Sequence, residues 1–182
     1  MRALRMIIQV AVSLVMIGTA ANAQPGQMSD SDYIQKAISA APSAVGNDAT
    51  VIRVDMDKPG NMRTLRTGTN GFTCMIMGPD AMCNDANSME FFGAMMKHEP
   101  PPDKIGISYM LRGDDGASNT DPYARGKTTD NHWVVTGPHI MITGAAARTL
   151  GLTEASDPDP GKPYMMWAGT PYEHAMVPVT AK

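Results

Sequence analysis

Phe72-Thr73-Cys74-Met75-Ile76-Met77-Gly78-Pro79-Asp80, continued after Cys83 by Asn87-Ser88-Met89-Glu90-Phe91-Phe92, is the stretch that decides the fold. Phe72 to Met77 is rich in residues that suit a pleated, half-buried surface and reads as a strand. Gly78-Pro79-Asp80 is a turn signal. Asn87 with Glu90 three residues on has the pattern of a capping box and opens a helix over 87–98. Met89, Phe92 and Met96 fall along one row of that helix, widened by Phe91 and Met95. Pro100-Pro101-Pro102 stops it. A strand, a turn and a capped helix so close together predict an α+β protein, with a mainly antiparallel sheet packed by one or two helices.

Working outward, Ser29 and Asp30 cap a helix to about Ala41, with Tyr33, Ile34, Ala37, Ile38 and Ala41 at helical spacing and Pro42 after it. Ile52, Val54 and Met56 alternate with Arg53 and Asp55. Lys58-Pro59-Gly60-Asn61 is a turn, Met62 to Thr67 a strand, and Gly68 to Gly71 another turn. With Phe72–Met77 these segments predict an antiparallel meander. Ile105, Ile107, Tyr109 and Leu111 alternate, so 105–112 is a strand. Residues 113–131 form a long polar loop. Trp133–Val135 and Pro138–Thr143 read as strands and Ala145–Leu150 as a brief helix. Tyr164–Ala168 and His174–Val179 read as a closing hairpin, with Pro178 marking its last strand as an edge.

Residues 1–23 have the layout of a secretory signal: Arg2 and Arg5, an apolar run from Met6 to Ile17, and Ala21-Asn22-Ala23 as a cleavage site. The run is shorter than the roughly 20 residues a membrane span needs, which disfavours an uncleaved anchor. The expectation is a periplasmic or secreted chain in which residues 24–182 make a single globular domain. The 15 basic and 18 acidic side chains leave a net charge of -3. No basic stripe is present to neutralise phosphates, so nucleic acid is not expected as a partner. After signal cleavage no membrane partner is expected either.

Two cysteines, Cys74 and Cys83, flank the Gly78-Pro79-Asp80 turn. In an oxidising compartment such a pair forms a disulfide closing a short loop. Their spacing fits neither a Cys-x-x-Cys redox motif nor a zinc knuckle.

His139-Ile140-Met141 and His174-Ala175-Met176 each place a His and a Met two residues apart. On a strand both side chains then share one face. If the strands are neighbours, His139, Met141, His174 and Met176 converge as two imidazoles and two thioethers, a donor set suited to copper. Met75 and Met77 share another strand face and can add sulfur. The competing reading is compositional. The chain holds 17 methionines, and after residue 23 its only leucines are Leu65, Leu111, Leu150 and Leu152. Methionine fills cores adaptably in place of leucine. A known copper-chaperone pattern needs an upstream Met where this chain has Ala117 and Leu152.

Other functions stay open at this level. A small-molecule or protein partner is an alternative, carried by Tyr123, Trp133, Tyr164, Trp167 and Tyr172. A hydrolase or lyase built from dispersed Asp121, His139 and His174 is another. There is no Gly-x-Ser-x-Gly elbow or zinc-protease helix motif, and no phosphate-cradling glycine pattern opens a helix. The acidic loop with Asp114, Asp115, Asn119 and Asp121 lacks EF-hand spacing for Ca²⁺.

The run Pro163-Tyr164-Met165-Met166-Trp167-Ala168-Gly169-Thr170-Pro171-Tyr172, with His174 and Met176, resembles the carboxy-terminal end of a group of small exported bacterial proteins. Ser118-Asn119-Thr120-Asp121-Pro122-Tyr123, Thr136-Gly137-Pro138-His139 and the pair Cys74 and Cys83 resemble the same group. The resemblance implies no activity, cofactor or catalytic residue.

Overall fold

The computed structural model describes residues 28–55, 58 and 60–179, so the signal segment, Met56 and Pro59 lie outside the described residues. Helix α1 spans Asp30–Ile38, and Ser29 caps it as its sequence predicts, its Oγ accepting from the Asp32 N–H at 3.1 Å. Pro42 opens a second, short helix, α2, at Ser43–Gly46. The strands that follow are β1 (Thr50–Val54), β2 (Met62–Arg66), β3 (Thr73–Met77) and β4 (Asp80–Asn84). Helix α3 covers Ala86–Met96, and the remaining strands are β5 (Gly106–Met110), β6 (Ala117–Ser118), β7 (Trp133–Val134), β8 (His139–Thr143), β9 (Tyr164–Met166) and β10 (His174–Pro178). A 3-10 helix occupies Ala145–Leu150.

Eight strands form one mostly antiparallel sheet in the order β2-β1-β3-β4-β5-β8-β10-β9, beside a separate β6–β7 pair. The fold is therefore α+β. Cys74 and Cys83 stand directly opposite each other on β3 and β4 and are joined, with the turn at Gly78-Pro79 between the strands.

The sheet departs from the expected meander at its first three strands. β1 pairs β2 antiparallel but β3 in parallel, through Thr50↔Thr73 and Val51↔Cys74. The composition of the strands explains the order. β2 is polar and exposed, which suits an edge, whereas β3 carries Cys74, Met75 and Ile76 and fills the inner side of β1. The segment Gly68–Thr69 does not close a hairpin; its N–H groups bond Thr50 Oγ1 and the Asp48 carbonyl.

The two faces of the sheet have different covers. α1 packs with Val51, Cys74, Ile76, Ala81 and Cys83 on one face. α3 covers the other, over Met110, Met141, Tyr164 and Met176. The cap of α3 is Asp85, accepting from the Ser88 N–H at 2.8 Å, not the expected Asn87–Glu90 box. Asp85 Oδ2 also accepts from Ile107 N–H, which ties the start of the helix to β5. That tie turns the helix so that Ser88 and Phe91 are its buried residues, while Met96, expected inside, is exposed. On β5 the inward face is likewise Gly106, Ser108 and Met110, leaving Ile107 out. β10 is an inner strand and β9 the edge, which corrects the reading of Pro178. β9 pairs only through Met176, and Val179 N–H bonds the Pro138 carbonyl, so the missing Pro178 donor interrupts no ladder.

Candidate metal centre

β8 and β10 are neighbours, as the convergence of the two His-x-Met pairs requires. Met141 pairs with Met176, and a histidine lies two residues upstream of each methionine. Because the strands are antiparallel, a local two-fold axis passes between the methionines and relates His139 to His174. All four side chains sit on the face covered by α3 and are buried, both histidines to 0 % exposure. The two-fold arrangement places the histidine Cα atoms roughly 13 Å apart along the strands, at ~3.3 Å per residue, with the thioethers between. Each ring is anchored to a carbonyl on its outer side. The two imidazoles therefore stand at opposite ends of the row and do not converge on one ion as the sequence reading expects.

The register supplies two further methionines that sequence reasoning missed. Met110 is opposite His139 across β5–β8, and Met166 is opposite His174 across β9–β10. Both are buried. Each imidazole thus has one methionine directly across a ladder and another two residues along its own strand. Met75 is buried on β3, three strands away from β8 in the sheet. No local signal marks Met110 or Met166; only strand pairing brings them in.

The two imidazoles are held alike. His139 Nδ1 lies 2.7 Å from the Gly137 carbonyl and His174 Nδ1 lies 3.0 Å from the Tyr172 carbonyl. A carbonyl only accepts, so Nδ1 carries the proton in both rings. Burial lowers both pKa values, that of His174 to about 4, with His139 lowering it further. The rings are neutral near pH 7, and each Nε2 therefore presents a lone pair. Among the described residues neither Nε2 has a hydrogen-bond partner. An Nδ1–H anchored on a carbonyl with Nε2 bare is how a metal-ligating histidine is oriented.

The two ends of the row differ in surroundings. Around His174 the Trp167, Phe91 and Phe92 rings pack with centroids 4.8, 6.0 and 6.2 Å from the imidazole. Trp167 has a left-handed backbone, φ 57°, and its indole N–H donates to the Ser118 carbonyl at 2.8 Å. At the other end Asp114 Oδ2 lies 3.9 Å from His139 Nε2, beyond hydrogen-bond reach. Burial raises the Asp114 pKa. Tyr164 and Thr136 share a hydrogen bond at 2.8 Å.

The remaining expected groups do not join this row. Asp121 is exposed and accepts from the Tyr123 N–H, so it forms no set with His139 and His174. His132 pairs with Asp157 on the surface, and His98 stacks on Tyr123. Tyr164, Trp167 and Tyr172 are core residues, while Tyr123 is exposed. In the acidic loop, Asp114 Oδ1 accepts from the Gly116 and Thr136 N–H groups, and Asn119 is buried with its side-chain N–H bonded to the Ala155 and Ser156 carbonyls. Among the described residues no three His, Cys, Asp or Glu side chains gather as a metal site. Comparisons with protein-family models, curated proteins and solved structures return no match to the chain.

Proposed function

We propose that this chain is an exported copper-binding protein, periplasmic or secreted, that takes Cu(I) at a His-Met end of the row formed by His139, Met141, Met176 and His174, one imidazole to an ion. The observation that carries the reading is the matched state of the two imidazoles: each is fully buried, anchored through Nδ1, and bare at Nε2. A buried polar atom without a partner costs about 1–3 kcal/mol. Two such atoms on one sheet face are a concentrated cost, and a bound cation offsets it. Thioethers are weak hydrogen-bond acceptors and good Cu(I) ligands, so their places beside both rings favour a soft cation over water. Neutral imidazoles admit the ion without losing a proton first. Met110 and Met166 extend the sulfur supply at either end.

The test is a competition titration with a Cu(I)-specific chromophoric chelator, using the oxidised mature protein beside His139→Ala/His174→Ala. Uptake that is lost in the double variant supports the reading. Failure of the parent protein to compete returns the row to a methionine-filled core. Amino-terminal sequencing of the exported product tests the location, with Gln24 expected as the first residue.

A further inference from the structure

We infer that the cation reaches the row from one end only, through the surface cleft that Asp114 walls, and that Asp114 passes it to His139. This rests on the copper reading. The cleft is lined by Lys36, Ser39, Asp80, Arg112, Asp114 and Asp115, among others. Its carboxylates outnumber its cationic groups. Asp114 belongs to both the cleft and the buried row. Its Oδ1 is fixed at 2.9 Å by each of the Gly116 and Thr136 N–H groups. Its Oδ2 is left facing the His139 Nε2 at 3.9 Å.

That distance is informative. It is too long for a hydrogen bond, yet a cation bound about 2.0–2.2 Å from both an imidazole nitrogen and a carboxylate oxygen spans up to roughly 4 Å between them. The imidazole on the inner side is fully buried and lacks a partner at the atom nearest the carboxylate. At the far end of the row His174 is instead walled by the Phe91, Phe92 and Trp167 rings. A carboxylate is a hard ligand and a poor final partner for Cu(I) beside thioethers. Asp114 is therefore placed to hold the ion in passing and release it inward.

The experiment is stopped-flow transfer of Cu(I) from a chelator, followed by the chelator's absorbance, for the parent protein, Asp114→Asn and Asp115→Lys. The amide introduced by Asp114→Asn retains an oxygen for the two turn N–H donors. Uptake and release by Asp114→Asn are both expected to slow about tenfold, leaving affinity within roughly threefold. Asp115→Lys, on the exposed rim, is expected to slow uptake as well. Asp103→Asn, an exposed carboxylate at the other end of β5, controls for loss of charge. An unchanged rate in both cleft variants overturns the route while leaving copper binding intact. An affinity loss in Asp114→Asn as large as its rate loss overturns the passing role, since Asp114 is then a ligand in the final complex. If the parent protein takes up no copper, the underlying reading fails instead.

Discussion

Met141 and Met176 stand directly opposite each other across the β8–β10 ladder, and the histidine two residues before each is bonded through Nδ1 to the carbonyl two residues before itself. The relationship is a repeated local device, not two unrelated buried histidines. A methionine-rich core needs the thioethers for volume alone, and any register would serve. The pairing of Met with Met, with both imidazoles bare at Nε2, is what a ligand row requires and what packing leaves unexplained.

Replacement of the thioethers separates the two roles. Met141→Leu/Met176→Leu keeps core volume and is expected to cost less than about 1.5 kcal/mol per site in chemical denaturation. Cu(I) affinity is expected to fall at least tenfold in the chelator assay, because Leu has no donor atom. Retained affinity with both sulfurs gone would remove Met141 and Met176 from the site.

The Cys74–Cys83 bridge joins a directly facing pair in a hairpin and spans a sequence separation of nine. Closing so short a loop stabilises by about 2–3 kcal/mol through the unfolded chain. Cys74→Ala/Cys83→Ala should lower the unfolding free energy by that amount. The bridge lies in the cluster under α1, and the His–Met row lies under α3. Copper binding by the bridge-less variant is therefore expected to persist wherever it remains folded.

The Cys pair was legible because its turn lies between the two residues in sequence. The shared face of each His-x-Met pair was legible because strand alternation is strictly local. Met110, Met166 and Asp114 were not. Met110 lies on an alternating strand whose apolar residues Ile107 and Tyr109 suggested the opposite inner face, and only the pairing with His139 brings it to the site. Asp114 enters because its loop returns over β8 and is held by Thr136. The parallel β1–β3 pairing was hidden for a similar reason: the Gly68–Gly71 turn reads as a hairpin, while its backbone bonds reach back to Asp48 and Thr50.

Helix α3 sits low on the sheet because Gly106 has no side chain. A Cβ there would meet Ser88 Oγ at 2.5 Å and Thr143 Oγ1 at 2.6 Å, as well as the Ser88 backbone nitrogen. Ser88 and Thr143 are themselves hydrogen-bonded at 3.0 Å. Gly106→Ala therefore forces the start of α3 away from β5 and β8, at an expected cost of about 1–3 kcal/mol. The shift also moves Phe91 against His174, so Trp167 emission, 4.8 Å from that imidazole, should change in the metal-free variant. A Gly106→Ala protein with parent stability and parent emission would show that the helix is not seated on this contact.

Acid should destabilise the metal-free protein through the histidines. Burial holds His174 at about 4 in the folded chain, against 6.5 for an ordinary histidine. Between those values the unfolded chain takes up a proton that the folded chain refuses, so stability falls as pH drops. Its contribution is complete above pH 6.5 and is lost by about pH 4, a change on the order of 3 kcal/mol. His139, also lowered by burial, adds in the same direction. Asp114, raised by burial, opposes it at lower pH. The clean measurement is the difference in denaturant unfolding free energy between the parent and His174→Phe across pH 4–7, which cancels the other titrating groups. The difference should be flat above pH 6.5 and move against the parent below it. A difference independent of pH would mean that His174 takes up its proton equally in the folded and unfolded chains, and that burial does not hold its pKa down.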